Sequence, residues 1–489
     1  MMKPLAIRRL PRTCPSCCRE RGVTMVLVAL ALVAIIAMAA LSIDIITLYL
    51  AREEAQRSAD AAALAAARVI SISGMTGDPS NSTSSWQAIC GPPNYVATQV
   101  ATTVVQQNAV GGAAIPSASV TVKYSAGTSG TSSTDCSSLP AAFGVNPMVT
   151  VQVTRAGLPT FFSRIWGNQG NTISATSTAE AFNSSASDLN TNGGATGTVI
   201  PVQPSCVKPW VVPNLDPLSP RNCTNNCTPF VSTTDGSIQR PGISQLGAGV
   251  IGETFWLSPD CRRATGSNCI LHKNNTIQPQ ANYNANGNEP LPNLLYVPGQ
   301  VGTPVVAIPS CSQGDPYEQA IEGCDSPTNY QCGVRNANAV DLRRNPGAGG
   351  TTTNGVQCLI HQTDVTDLKA PSGQDYFNPF AAPNTYPFQI LAGSSNPLAG
   401  TLSGNPISSS ASIVSLPIYD NVTNIQGGTT TDVTFIGFLQ VFINAVDQNG
   451  NVSVTVLNVS GCGNGNTVPV SPNAVTSTSP VPIRLITPQ

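Results

Sequence analysis

The chain has 489 residues, of which 23 are Lys or Arg and 25 are Asp or Glu, a charged share of 10% where soluble domains carry about 25%. A net charge of −2 argues against a nucleic-acid binder, which needs a basic face to meet phosphates. Fifteen cysteines against two histidines, His272 and His361, disfavour imidazole chemistry and make disulfides the natural reading of the sulfur.

The charge is divided along the chain. Residues 1–21 carry Lys3, Arg8, Arg9, Arg12, Arg19 and Arg21 against Glu20, a net of +5, which leaves −7 to the remainder. Val23–Ile43 comes next without a charge, and its 21 residues reach about 31 Å as a helix, enough to cross a hydrocarbon core of about 30 Å. Basic residues on the N-terminal flank predict that this end stays in the cytoplasm and that the chain beyond the span is exported. A cleaved secretory signal has an apolar core of about 7–15 residues. Here the apolar run is longer and resumes after Asp44, then continues as an Ala-rich segment to Ile70 with no Pro or Gly from Val23 onward. An uncleaved anchor that extends into a helical stalk is the expectation.

The cysteines sort by compartment. Cys14, Cys17 and Cys18 precede the span, where the thiols stay reduced, and lack a fourth ligand nearby for zinc. Cys90, Cys136, Cys206, Cys223, Cys227, Cys261, Cys269, Cys311, Cys324, Cys332, Cys358 and Cys462 lie beyond it, an even set of disulfide candidates whose connectivity the sequence leaves open. Cys223-x-x-x-Cys227 has metal-like spacing, but in an exported, Cys-rich stretch a disulfide is the stronger expectation.

Two features of the span and stalk are candidate helix-packing determinants. Asp44, near the outer end of the span, either sits in interfacial water or pairs with another segment. Ala51, Ala55, Ala59, Ala63 and Ala67 recur at spacing four, a small-residue stripe that admits close approach of a helix or belongs to a solvated or sheet-packed Ala helix.

Beyond the stalk, 94–110 reads as a second helix, and 119–125, 148–154 and 172–182 alternate as strands. Residues 183–405 are rich in Asn, Gly, Pro, Ser and Thr and read as disulfide-pinned loops with short strands, or as partly disordered. Strand patterns return at 413–420, 433–446 and 451–459, with Asp447-Gln448-Asn449-Gly450 as a hairpin turn. Phe438, Val441 and Phe442 read as core. Residues 481–486 read as a strand closing this last sheet, and Cys462 as a clip to another part of the exterior. The fold class expected is α+β: an N-terminal transmembrane helix and helical stalk, then a mainly β, disulfide-rich extracytoplasmic region. The divisions are 1–22, a basic tip; 23–43, the span; 44–70, the stalk; 71–182, an α+β unit; 183–405, the irregular region; and 406–489, a β-rich unit.

The chain has no nucleophile elbow, no His-Glu-x-x-His, no phosphate loop and no EF-hand. No catalytic, cofactor or metal residue is assigned, and none is expected.

The run from Glu20 to Ala67 resembles the N-terminal segment of Flp (tight-adherence) pilus-assembly proteins of the TadE/TadG-like family. The pieces that carry the likeness are Arg21-Gly22, the small and aliphatic span, Ile43-Asp44, Leu48-Tyr49-Leu50 and Gln56–Ala67. Residues 149–181 resemble the start of that family's ectodomain, as strand, short helix and strand. Cys206-Val207-Lys208-Pro209-Trp210 and Gly461-Cys462-Gly463 are similar to pieces of its larger exteriors. The resemblance implies a bitopic bacterial inner-membrane component of a pilus or secretion apparatus, with the bilayer and other assembly proteins as partners. Pilin-like members are processed after a Gly and carry Glu five residues on; counted from Gly22 that residue is Leu27, so an uncleaved anchor is implied. The Asp-x-Ser-x-Ser metal site of some larger members is missing. An anchored surface adhesin or envelope-binding protein is the alternative expectation.

Overall fold

The structure is a computed structural model that describes residues 20–74, 76, 89–92, 95–127, 131–144, 147–160, 162, 167, 170–183, 202–220, 223, 227–234, 236–242, 249–259, 280–283, 291–303, 305, 311, 315–325, 327–328, 330, 339–341, 350–378, 389–397, 403–407, 409–421, 430–462, 475–477 and 479–486. The basic tip to residue 19, Cys14, Cys17, Cys18, Cys261, Cys269, Cys332, His272 and most of the short helix expected between the first strands lie outside the described residues.

One helix, α1 (Glu20–Ile72), runs without a break through the segments expected to be span and stalk. Ala, Leu and the straight-chain residues of its second half favour helix, and no Pro interrupts it. Past the helix end Gly74 takes a left-handed φ of +71°, the backbone region that glycine reaches without a Cβ penalty. A Cβ there would collide with Ile251 and with the carbonyl of Leu457, so the helix end is pressed directly onto a distant part of the fold.

A five-stranded antiparallel sheet covers the second half of α1. Its main strands are β1 (Val120–Ala126), β2 (Pro147–Leu158) and β3 (Asn171–Ala181), and α2 (Val96–Gln107) packs beside α1 on the same core. β1 pairs with β2 and β2 with β3, with the short strand Ser132–Ser133 beyond β1. Residues 481–486, expected to close the last sheet, do something else. Ile483–Ile486 pairs with β3, as Ile483↔Ala181 through Ile486↔Thr178, and becomes the other edge of this first sheet. The physical reason is visible at the pairing: Ile483 packs against the α1 core, Arg484 bonds Glu180, and the Pro482 carbonyl accepts the N–H of Phe182.

A second, mixed sheet is built from strands on both sides of residue 405, with three small sheets of two or three short strands apart from it among the described residues. In chain order these are β4 (Trp210–Pro213), β5 (Thr254–Pro259), β6 (Leu291–Pro298), β7 (Ile413–Tyr419), β8 (Phe435–Val446) and β9 (Val452–Gly461). The spatial order is β4-β7-β8-β9-β5-β6, with Gln280–Tyr283 outside β6. Because β4 also pairs with β6, Trp210↔Pro298 and Val211↔Val297, the order closes into a ring of six strands. Every residue of β9 and all but one of β8 are buried, as expected of strands covered on both faces. Alternate residues belong to separate apolar clusters. Trp210, Val212, Leu294 and Tyr296 join one; Val211, Leu295 and Val297 join another. The turn between β8 and β9 obeys the Asn-Gly signal, with Gly450 at φ +79° and the Asp447 carboxylate accepting the N–H groups of Asn449 and Asn451, both at 2.8 Å. Phe438, Val441 and Phe442 are fully buried.

Candidate membrane anchor and its junction with the exterior

α1 changes character along its length. Apart from Leu485, every strongly exposed large apolar side chain among the described residues lies between Val23 and Leu50, led by Met25 at 77%. A contiguous apolar surface of that size is covered by something other than water in a stable protein. Among the described residues this is also the one helix long and apolar enough to cross a membrane, by length and composition. From Ala51 onward the same helix buries Ala51, Ala55, Ala59, Ala63 and Ala67, the last four completely. The neighbours are the chain's own β2, β3 and α2, all in one apolar cluster with the stripe. Small side chains let a flat sheet and a second helix approach the α1 backbone closely.

Asp44 lies seven residues before that changeover. It is 4% exposed, and its Oδ2 accepts the backbone N–H of Phe162 at 3.1 Å. Its own carbonyl accepts the hydroxyl of Thr47 at 2.9 Å. Two turns above it, Leu158 at the end of β2 belongs to the same core as Ala51, and Gly111 lies against both. The Gly111 N–H donates to Glu54 Oε2 at 2.7 Å. Further up, Gln56 Nε2 donates to Asp60 Oδ1 and to the Thr176 carbonyl of β3.

At its far end α1 is tied to the six-stranded ring by buried polar groups. Asn458 Nδ2 on β9 donates to the Ser71 carbonyl at 2.8 Å, and Ser71 Oγ donates to the Val481 carbonyl at 2.7 Å. Asn183 Nδ2, just past β3, donates to the Val459 carbonyl at 3.0 Å. Buried amides placed this way cost free energy unless satisfied, so they specify one docking arrangement for the helix end.

The cysteines beyond α1 pair as Cys90–Cys136, Cys206–Cys324, Cys223–Cys227 and Cys311–Cys358. Cys462 is also disulfide-bonded. Cys90 and Cys136 belong to the α1 core, and the spacing-four pair is a disulfide. Sequence reasoning placed no role on Lys208, which is 4% exposed. Its ammonium donates to the carbonyls of Ile321 and Gly323, each at 2.7 Å, closing the C-terminus of α3 (Pro316–Glu322), where cations complement the helix dipole. Burial pushes Lys208 down to about 7, against the pull of Glu322. Burial and then Glu318 push Glu322 up to about 7, against the pull of Lys208. Cys311, Glu322 and Cys358 lie close enough to suggest a metal site. Their two sulfurs are bonded to each other, however, and neither offers the thiolate that binds metal.

A second buried charge cluster joins Arg240 to Asp216 and to Glu253, the latter at 2.7 Å. Burial and the nearby Asp216 raise Glu253 to about 9, although Arg240 pulls the other way. His361 ends α4 (Thr351–Ile360) in a left-handed conformation, φ +61°, and its visible role is in that turn.

The first half of α1 is thus an apolar, outward-facing helix whose continuation is built into a disulfide-linked α+β body. Residues 22–69 match the model of the Flp pilus-assembly TadE/G-like family. No curated protein and no solved structure gives a significant match to the chain. The matched segment covers both the exposed apolar half of α1 and the alanine stripe packed under the first sheet.

Proposed function

We propose that this protein is a single-pass structural component of Flp-type pilus assembly, anchored in the bacterial inner membrane by Val23–Ile43. The observation that carries the reading is the coincidence of the family match with a helix that is apolar and exposed to Leu50 and buried in its own exterior from Ala51 on. In this reading the basic tip stays cytoplasmic and the disulfide-linked body lies outside the membrane, where it contacts other pilus-assembly or secretion proteins. The body acts as a scaffold and not as an enzyme. Two of its inward-facing cations are engaged in the fold: Lys208 closes a helix, and Arg240 joins Asp216 and Glu253.

A deletion strain tests this. Loss of Flp-type pili and of surface attachment, restored by the full chain, supports it. Normal piliation in the deletion strain overturns it, and digestion of the body by protease added to intact cells would then favour an adhesin on the same anchor.

A further inference from the structure

We infer that the turn after β2, from Leu158 to Phe162, is a second membrane-contacting element that seats the exterior in the interfacial layer of the bilayer. The inference rests on the anchor reading of α1 and adds a contact that the helix alone does not supply. The observation is a difference in level. Leu158 packs at the height of Ala51, whereas Phe162 reaches Asp44. Those two positions on α1 are seven residues apart, so the turn descends about 10 Å along the helix towards its N-terminus. Side chains on a helix tilt towards that same end, which places the Phe162 amide at or below the level of the Asp44 backbone.

At that level the helix is still clothed for lipid. Val23–Ile43 alone spans a hydrocarbon core of about 30 Å, and the interfacial layer adds about 5–7 Å on each side. Beyond Asp44, Ile45, Ile46, Tyr49 and Leu50 stand 55–63% exposed, while Asp44 and Ala51 are covered by the exterior. One helix segment therefore presents a wide apolar face outward and the descending turn on its other side. An aqueous layer at this height would wet four large apolar side chains. A lipid interface covers them, and the same interface then surrounds the turn. Tyr49 fits the aromatic belt at headgroup level. Asp44 is the device that holds the turn down, since its carboxylate accepts a backbone N–H that lipid could not satisfy.

The test uses the full chain in vesicles of phosphatidylethanolamine and phosphatidylglycerol. A benzophenone amino acid is placed in turn at Ile46, Pro159, Phe162 and Gln152, and phospholipid adducts are read by mass spectrometry after illumination. Pro159 and Gln152 are exposed on the surface, and an intact Cys90–Cys136 peptide reports a folded exterior in each variant. Phospholipid adducts at 46 and at 159 or 162, with none at 152, support the inference. Adducts at 46 with none at 159 and 162 overturn it and leave the anchor reading standing. Adducts to protein at 159 and 162 in place of lipid also overturn it. Absence of lipid adduct at 46 overturns the anchor reading and the inference with it.

Discussion

The Asp44 carboxylate accepts the backbone N–H of Phe162 at 3.1 Å across 118 residues of sequence. An acidic side chain on an apolar helix is costly unless satisfied, and this bond satisfies it while fixing where the turn after β2 meets α1. Replacing Asp44 with Leu removes the charged acceptor that the bond uses. The expected cost is about 1.5–3 kcal/mol of local stability, the range for a hydrogen bond to a charged group. Asp44→Asn, which keeps an acceptor oxygen, loses less. Hydrogen exchange at the Phe162 amide reads the difference; equal protection in wild type and Asp44→Leu would sink the assignment.

Ala59 and Ala63 have no exposed surface, because β2, β3 and α2 close over them. Ala59→Leu inserts three carbons where the sheet already touches the helix. It is expected to destabilise the exterior by about 1–3 kcal/mol, the usual range for overpacking. The same change at Ala61, on the exposed side of α1, leaves thermal unfolding unchanged. A similar small shift for both would mean that the stripe does not pack internally.

The disulfide pairing makes a direct chemical prediction. A non-reduced digest should yield linked peptides for Cys90–Cys136, Cys206–Cys324, Cys223–Cys227 and Cys311–Cys358. Cys206–Cys324 joins residues 118 apart in sequence, so replacing the pair by Ser is expected to cost about 2–4 kcal/mol. Denaturant midpoints of the two proteins check this, and a digest dominated by other pairings would contradict the arrangement of β4 and α3.

Glu253 gives the exterior a pH dependence with a defined sign. Its carboxyl is raised from an ordinary 4.5 to about 9, by burial first and Asp216 second. A group raised on folding contributes stability that is complete below its unfolded pKa and is lost as pH rises through the folded one. Stability is therefore expected to fall between about pH 4.5 and 9, and Glu253→Gln should flatten that fall. Thermal midpoints across the window decide it; a variant with the same slope as wild type would show that the dependence originates elsewhere.

Much of the local structure was readable from the residues. The uninterrupted helix, the second helix and the strands at 120–126, 147–158, 171–181, 413–419, 435–446 and 452–461 arise from period and breakers, which act over a few residues. The middle stretch was harder. Trp210–Pro213 and Thr254–Pro259 are short, and with Leu291–Pro298 they carry prolines at their ends and lie among breakers, so little local distinguishes them from loops. They become strands because the ring supplies partners on both sides, with β7 and β6 flanking β4. Lys208 was equally unreadable: its helix-closing role depends on carbonyls more than a hundred residues away.

By itself the amino-acid sequence determined the charge division, the length and apolar character of the first half of α1, and the presence of an oxidisable cysteine set. Those are sums and periodicities, and they survive any arrangement of the chain. Tertiary structure alone decided what covers each face. It turned the alanine stripe inward onto the protein's own sheet, sent Ile483–Ile486 back to the first sheet, and drew the turn at Phe162 down to Asp44. Each of these is a choice among partners distant in sequence, made by burial and by the need to satisfy polar groups once water is excluded.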